Sequence, residues 1–147
     1  MAEGGGLAVL LCLLAASLED IRTRKVSDYI WWVFAPACLL LIPYAEDALT
    51  LWDYLECLYV IFIQEHIMSR FYGRADSHAF SCCAVFLIFC GAGLEGHIIH
   101  MSIALLYLTA FQLLKHNIGP CGKLKAPVPF IPYISASFVT VLIILAL

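Results

Sequence analysis

Six long apolar runs, separated by short polar breaks, occupy most of this 147-residue sequence. A helix needs about 20 apolar residues to cross the hydrocarbon core of a bilayer, and most of the runs approach that length. The runs are continuously apolar rather than alternating in polarity, which favours helices over the strands of a membrane barrel. We therefore predict one all-α domain over residues 1–147 with six transmembrane helices. The predicted segments are 4–18, 29–45, 49–68, 77–94, 96–114 and 127–147.

The composition argues against a soluble domain, because 63% of the residues are hydrophobic whereas about 45–50% is usual in soluble proteins. Seven cysteines are present, but six lie in apolar runs and none forms a C-x-x-C pair. Cysteines placed in this way are typical of small buried hydrophobic residues. A zinc module or a disulfide scaffold is therefore not expected.

The eight Lys and Arg residues all fall on alternate connections between the predicted helices. They are Arg22, Arg24, Lys25, Arg70, Arg74, Lys115, Lys123 and Lys125. Six crossings put these connections on one face, which the positive-inside rule makes cytoplasmic. We expect a multi-pass protein of the cell membrane, the inner membrane where there are two, with both termini outside. The lipid bilayer is its expected partner and nucleic acid is not, and Trp31 and Trp32 are predicted to anchor the second helix at the interface.

Two aspartates lie at predicted cytoplasmic helix ends, Asp20 after the first run and Asp76 at the start of the fourth. Two carboxyl groups brought within one water of each other share a proton and titrate as a pair. One can then activate a water as a base while the other polarises a carbonyl, which is peptide hydrolysis without a metal. Gly73 and Ala75 carry little or no side chain, so an extended peptide can approach Asp76.

Each aspartate also has a simpler structural interpretation. Asp20 could be an ordinary helix-end acid that pairs with Arg22 or Arg24 at the interface. Asp76 could be the N-cap of the fourth helix, a position where Asp is favoured. His78 follows Asp76 by two residues and is predicted to point away from the pair.

Other polar residues within the apolar runs suggest different sites. Asp53, Glu56 and Glu65 would carry protons or ions if the protein were a small transporter or an assembly subunit without enzymatic activity. Gln64 and Glu65 could instead line a cavity near the aspartates or face the adjacent loop. His97 and His100 could share one helical face as metal ligands, although packing is the simpler interpretation.

Three stretches resemble the type IV prepilin peptidase family. The stretch from Asp20 to Asp28 resembles its first aspartate motif, with Ser27-Asp28 where many members have Pro-Asn. Gly73-Arg74-Ala75-Asp76 is similar to the G-x-G-D motif of membrane aspartyl proteases, including presenilin-like enzymes, with Ala75 in place of the second glycine. The stretch from Pro127 to Tyr133 is similar to the Pro-rich entry into the last helix, and the three motifs occur in the family's order.

The resemblance implies a membrane aspartyl endopeptidase with Asp20 and Asp76 as its catalytic pair and with no cofactor and no metal. Because the chain lacks the cysteine-bearing insert linked to N-methylation, a peptidase-only member is implied. Its substrates would be prepilin-like or preflagellin-like precursors with a basic leader before a hydrophobic helix. A protease that cuts within a transmembrane helix is an alternative of the same class. Expected supporting residues are Gly73, Ala75, Pro127, Pro129 and Phe130, with Glu19, Asp28 and Glu65 expected to hold the leader.

Overall fold

A computed structural model describes residues 3–33, 49–118 and 128–146 of the chain, and almost all of them are helical. The helices are α1 (Glu3–Thr23), α2 (28–33), α3 (Leu51–Ile63), α4 (Ser69–Tyr72), α5 (Arg74–Phe89), α6 (Gly93–Ile118) and α7 (Ile131–Ala146). A π-helical turn, Gln64–Met68, joins α3 to α4. The described residues contain no strand, which confirms the predicted all-α class.

Helix α5 lies at the centre of the bundle and contacts α1, α3, α6 and α7. Phe80 and Phe86 on α5 are buried, together with Leu13 of α1 and Phe138 of α7. The rings of Phe86 and Phe138 meet edge to face with their centres 5.6 Å apart, a geometry that contributes about 0.5–1.5 kcal/mol beyond burial. Four neighbouring helices therefore fix the position of α5 and of the residues at its first turn.

The outward face of α1 is apolar rather than polar. Every third or fourth residue on it is a large hydrophobic side chain with more than half of its surface exposed. These residues are Leu7, Leu11, Leu14, Leu18 and Ile21. Contiguous exposed apolar surface of this kind marks a membrane or protein contact.

Among the described residues, one helix is long and apolar enough to cross a membrane, the stretch Gly93–Lys115 of α6. The other predicted crossings remain predictions. The second predicted segment is described only as far as residue 33, and Pro127 lies outside the described residues.

Two helix boundaries differ from the sequence-based expectation. Helix α1 runs past the end of the apolar run to Thr23, whose hydroxyl donates to the carbonyl of Glu19 over 3.0 Å. Arg24 then adopts a left-handed conformation with φ of 58° and ends the helix. Asp20 therefore lies in the last turn of α1 rather than beyond it. Helix α5 begins at Arg74, so that Asp76 lies within its first turn.

The prediction that Trp31 anchors α2 at the membrane interface is wrong. Its side chain is only 7% exposed and belongs to the core, where its ring centre lies 5.9 Å from that of His78 on α5. Trp32, the next residue, is 79% exposed. The two tryptophans point in different directions because neighbouring residues of a helix lie on different faces.

Candidate active site

The two aspartates lie together at one end of the bundle, although they are distant in the sequence. Asp20 is in the last turn of α1 and Asp76 is in the first turn of α5. Burial raises the pKa of Asp76, and the charge of Asp20 raises it further. Burial also raises the pKa of Asp20, and the backbone N–H groups of Ile131 and Phe130 partly offset this effect. The ends of α1, α5 and α7 thus meet at a single site.

Asp20 continues the inward stripe of α1, one helical turn after the buried Ala16. Burial raises the pKa of its carboxyl group, and this effect outweighs the opposing effects of Ile131, Arg24 and Phe130. The N–H groups at the start of α7 carry partial positive charge and so favour an anion here. Nevertheless, Oδ2 of Asp20 is buried and has no hydrogen-bond partner among the described residues. This oxygen requires a donor, such as a water or a second, protonated carboxyl group.

The simpler structural interpretation of Asp20, an ion pair with Arg22 or Arg24, does not match the geometry. Within residues 3–33, 49–118 and 128–146, the pair within ion-pair distance is His78 with Glu65. Arg24 affects Asp20 through its charge alone and is exposed. The carboxyl group of Asp20 therefore points into the site rather than toward the basic loop.

Asp76 is partly buried and is the third residue of α5. Burial, together with the charge of Asp20, raises its pKa from 3.8 to about 7. The N-cap of α5 is Gly73, so the interpretation of Asp76 as the N-cap is wrong. A carboxyl group with this pKa holds a proton in an appreciable fraction of molecules at neutral pH, as a general acid must.

Gly73 has a backbone conformation, φ 109° and ψ 161°, that is essentially confined to glycine. A Cβ atom added at this position would lie 3.5 Å from Oδ2 of Asp76. The glycine therefore serves both the sharp break before α5 and the open backbone beside the carboxyl group. Ala75 is partly buried and packs against the core.

Tyr72 is a neighbour of the pair that the sequence analysis did not single out. The charge of Asp76, added to the larger effect of burial, raises the pKa of its phenol. The hydroxyl group donates to Oε1 of Gln64, and the ring packs against Phe80 and Phe130 with centres 5.4 and 6.1 Å away. The break between α4 and α5 disrupts helical periodicity, so the pattern of apolar residues does not place Tyr72 near the aspartates. The one feature of the sequence that could have identified Tyr72 is its position directly before Gly73.

Glu19 and Asp28, both expected near the substrate leader, differ in their surroundings. The carboxylate of Glu19 accepts hydrogen bonds from the backbone N–H and the hydroxyl of Ser27, at 2.8 and 2.5 Å. These bonds lower the pKa of Glu19 and close the turn between α1 and α2. Asp28 is exposed at the start of α2.

Glu65 faces the interior of the bundle rather than the adjacent loop. Its Oε1 accepts a hydrogen bond from the hydroxyl of Ser81 over 2.9 Å and lies 2.9 Å from Nδ1 of His78. Both partners are on α5, so Glu65 ties the π-helical turn to the central helix. His78 contacts Glu65 and Trp31, and these contacts account for its position.

The Pro-rich segment contributes backbone groups more than side chains. Pro129 is partly buried, and Phe130 is 7% exposed with its ring 5.7 Å from that of Phe80. The carbonyl of Phe130 accepts the first bond of α7, from the N–H of Tyr133 over 2.9 Å. The ring therefore fixes the start of α7, whose N–H groups face Asp20.

The acids that a transporter would use are engaged at separate places. Asp53 forms a capping box with Thr50 at the start of α3. Glu56 accepts a hydrogen bond from the backbone N–H of Leu94 over 2.6 Å, at the start of α6. Glu65 lies on the π-helical turn at the other end of α3. No group of three or more His, Cys, Asp or Glu side chains suited to a metal ion occurs in the described part of the chain.

No family model, curated protein or solved structure matches this chain. The resemblance to prepilin peptidases therefore depends on the three sequence motifs and stays a prediction.

Proposed function

We propose that the protein is a membrane aspartyl endopeptidase in which Asp20 and Asp76 cleave a peptide bond through one activated water. The observation that carries this proposal is that two partly buried carboxyl groups interact: burial raises the pKa of Asp76, and the charge of Asp20 adds to this effect and brings the pKa to about 7. Structural acids at helix ends are usually solvated or paired with a base. Two partly buried carboxyl groups, the charge of one opposing the ionisation of the other, are typical of a catalytic pair.

The environments of the two acids assign their roles. Burial raises the pKa of both carboxyl groups. Backbone N–H groups and Arg24 favour the ionised form of Asp20, whereas the negative charge of Asp20 further disfavours the ionised form of Asp76. Asp20 is therefore the base and Asp76 holds the proton.

The reaction then proceeds in two proton-balanced steps. In the first step, Asp20 takes a proton from the water molecule, and the oxygen of that water bonds to the scissile carbonyl carbon. At the same time, Asp76 gives its proton to the carbonyl oxygen. In the second step the C–N bond breaks, the leaving nitrogen takes the proton from Asp20, and the hydroxyl of the intermediate returns a proton to Asp76.

The protein acts, in this proposal, as a six-helix membrane protein with the aspartates at the cytoplasmic face. The apolar outward residues of α1, such as Leu11 and Leu14, support contact with lipid along that helix. The basic residues on alternate connections support the orientation. Both aspartates would then lie where a soluble leader meets the hydrocarbon.

The proposed substrates are prepilin-like or preflagellin-like precursors, cleaved between a basic leader and a hydrophobic helix. Asp28 is the best placed of the three expected leader-binding acids, because it is exposed while Glu19 and Glu65 have partners within the protein. A basic leader would approach this carboxylate from the cytoplasm.

Cleavage of a synthetic precursor by the purified protein in lipid nanodiscs tests this function. The precursor carries a basic leader followed by a hydrophobic helix, and product is measured by mass spectrometry. We expect Asp20→Asn and Asp76→Asn each to lower the rate at least about 100-fold, because each removes a proton-transfer group. The control Glu95→Gln, an exposed acid near the start of α6, should retain the wild-type rate. Normal cleavage by either aspartate variant would refute the pair.

The transporter alternative is less well supported. It requires acids that converge from several helices near the middle of the membrane. Asp53, Glu56 and Glu65 instead have separate partners, namely Thr50, the N–H of Leu94, and the pair of His78 and Ser81. We therefore prefer the peptidase.

A further inference from the structure

Two histidines of α6 lie deep inside the bundle and are not part of the proposed active site. His97 is 2% exposed and His100 is fully buried, and their ring centres are 6.1 Å apart. Phe80 packs edge-on against both rings. The Nδ1 atoms of both histidines are buried without a hydrogen-bond partner among the described residues. Two such atoms on neighbouring side chains require an explanation, since a buried polar atom without a hydrogen-bond partner destabilises the folded state.

The contacts of Gln64 determine which nitrogen of His97 carries a proton. Nε2 of Gln64 lies 3.1 Å from the sulfur of Met101, and a thioether can only accept a hydrogen bond. Tyr72 donates to the other end of the same amide, Oε1. The amide NH₂ therefore faces Met101 and His97, and it donates to Nε2 of His97 over 3.0 Å. In the neutral ring the proton must then be on Nδ1 of His97.

His100 has the opposite arrangement. Its Nε2 lies 3.1 Å from the backbone carbonyl of Ile134, which can only accept. Nε2 of His100 therefore carries the proton, and its Nδ1 has a free lone pair. Among the described residues no carboxylate lies within ion-pair distance of His100, so a charged imidazole at this depth would be uncompensated by them.

The two unpartnered atoms are thus complementary, because Nδ1 of His97 is a donor and Nδ1 of His100 is an acceptor. They cannot bond directly. Rings whose centres are 6.1 Å apart keep the nitrogens farther apart than the roughly 3 Å of a hydrogen bond, even if both face inward. We propose that His97 and His100 bind one internal water molecule between their Nδ1 atoms. This water accepts from His97 and donates to His100, which meets the minimum of two polar partners for a buried water.

The water completes a hydrogen-bonded chain in which every donor points the same way. The chain runs from the hydroxyl of Tyr72 to Gln64, then through His97, the water and His100 to the carbonyl of Ile134. Such chains strengthen their individual bonds. Tyr72, at the outer end, is the neighbour of Asp76, so the hydrogen-bonded chain holds the hydroxyl group of Tyr72 beside the aspartates. Its effect on cleavage, unlike the water site itself, rests on the proposed function.

Nitrogen-15 NMR of histidine-labelled protein in nanodiscs tests the water site without any activity measurement. Signals are assigned with His97→Asn and His100→Asn variants, and the exposed His66 serves as an internal reference. We expect His97 to carry its proton on Nδ1 and His100 on Nε2 from pH 6 to 8, and we expect water protons to show cross-peaks to His97. The same tautomer in both rings, or the absence of a water contact, would overturn the proposal. A shift of both Nδ1 signals on addition of Zn²⁺ would indicate a metal site and would also overturn it.

A double-mutant cycle tests whether the hydrogen-bonded chain from Tyr72 to Ile134 affects the rate of cleavage at the active site. Tyr72→Phe and His97→Phe interrupt the same chain, so each should lower kcat about fivefold and the double variant no further. His66→Phe is the matched control and should leave kcat unchanged. Factors that multiply would show that the two residues act independently and would overturn the positioning role. Normal cleavage by Asp76→Asn would refute the peptidase while leaving the NMR result to decide the water site.

Discussion

Asp20 at the end of α1 and Asp76 at the start of α5 lie close together: burial raises the pKa of Asp76, and the charge of Asp20 raises it further. Neither helix end would bury an acid by itself. The contact arises because α5 packs against both α1 and α7, and the start of α7 covers Asp20 with the backbone of Phe130 and Ile131. The tertiary packing of three helices therefore creates the chemical property on which the proposed reaction depends.

The first prediction concerns stability and pH. The pKa of Asp76 is about 7 in the folded protein and near 3.8 in the unfolded chain, so the folded state binds the proton more tightly. The free energy of unfolding should therefore fall as the pH rises from about 4 to about 7 and change little above that. In Asp76→Asn this fall should be absent, which makes the variant more stable than wild type at pH 8 by at most about 4 kcal/mol. Denaturant titrations in detergent at several pH values measure this, and equal pH dependence in both proteins would contradict it.

The second prediction concerns Gly73. Gly73→Ala forces a side chain into a glycine-only conformation and adds a Cβ 3.5 Å from Oδ2 of Asp76, so it should lower both stability, by about 1–3 kcal/mol, and the cleavage rate. Gly91→Ala is the matched control, because Gly91 also has positive φ, 82°, but nothing lies within 4 Å of its added Cβ. That variant should lose stability and keep its cleavage rate. Equal cleavage rates in both variants would show that Gly73 has no specific role beside Asp76.

The third prediction concerns Ala75, where the G-x-G-D motif of membrane aspartyl proteases has glycine. Ala75→Gly removes a methyl group that packs against the core and adds backbone freedom to the first turn of α5. Stability should fall by about 0.5–1 kcal/mol. Cleavage should remain within about twofold of wild type, because the carboxyl group of Asp76 keeps its surroundings. A cleavage rate at least tenfold higher would show that the methyl group obstructs the substrate.

The fourth prediction concerns recognition of the leader. Asp28→Lys reverses an exposed charge on α2 and should raise KM for a precursor with a basic leader about threefold to tenfold, with kcat unchanged. The effect should weaken at high salt because exposed charges are screened. Glu95→Lys makes the same charge change near the opposite end of α5 and should leave KM unaltered. An identical KM for wild type and Asp28→Lys would exclude Asp28 from leader binding.

The sequence predicted the helical class and the position of the aspartates at helix ends, because both follow from local patterns. Apolar runs specify helices in a chain of this composition, and polar breaks mark where they end. Gly73 likewise predicted an open backbone beside Asp76, since glycine carries no Cβ atom. These inferences needed no knowledge of how the helices pack.

The features that the sequence analysis missed depend on packing between distant segments. Trp31 was assigned to the interface from its neighbour and its position, but the contact with α5 buries it. For Gln64 the sequence left open whether it lines a cavity or faces the loop, and a π-helical turn directs it inward to Tyr72 and His97. A π-helical turn contains one more residue than an α-helical turn, which changes the direction in which the neighbouring side chains point. Hydrophobic periodicity does not predict where such a turn occurs.

The titration of Asp76 tests the central claim most directly. Carbon-13 NMR of aspartate-labelled protein in nanodiscs follows the carboxyl carbon of Asp76 across pH 3 to 9, in wild type and in Asp20→Asn. We predict a midpoint near pH 7 in wild type and a lower midpoint in the variant, because the variant removes the charge of Asp20 but keeps most of the burial. A midpoint near pH 4 in both proteins would mean that the two carboxyl groups do not interact, and it would contradict the proposed catalytic pair.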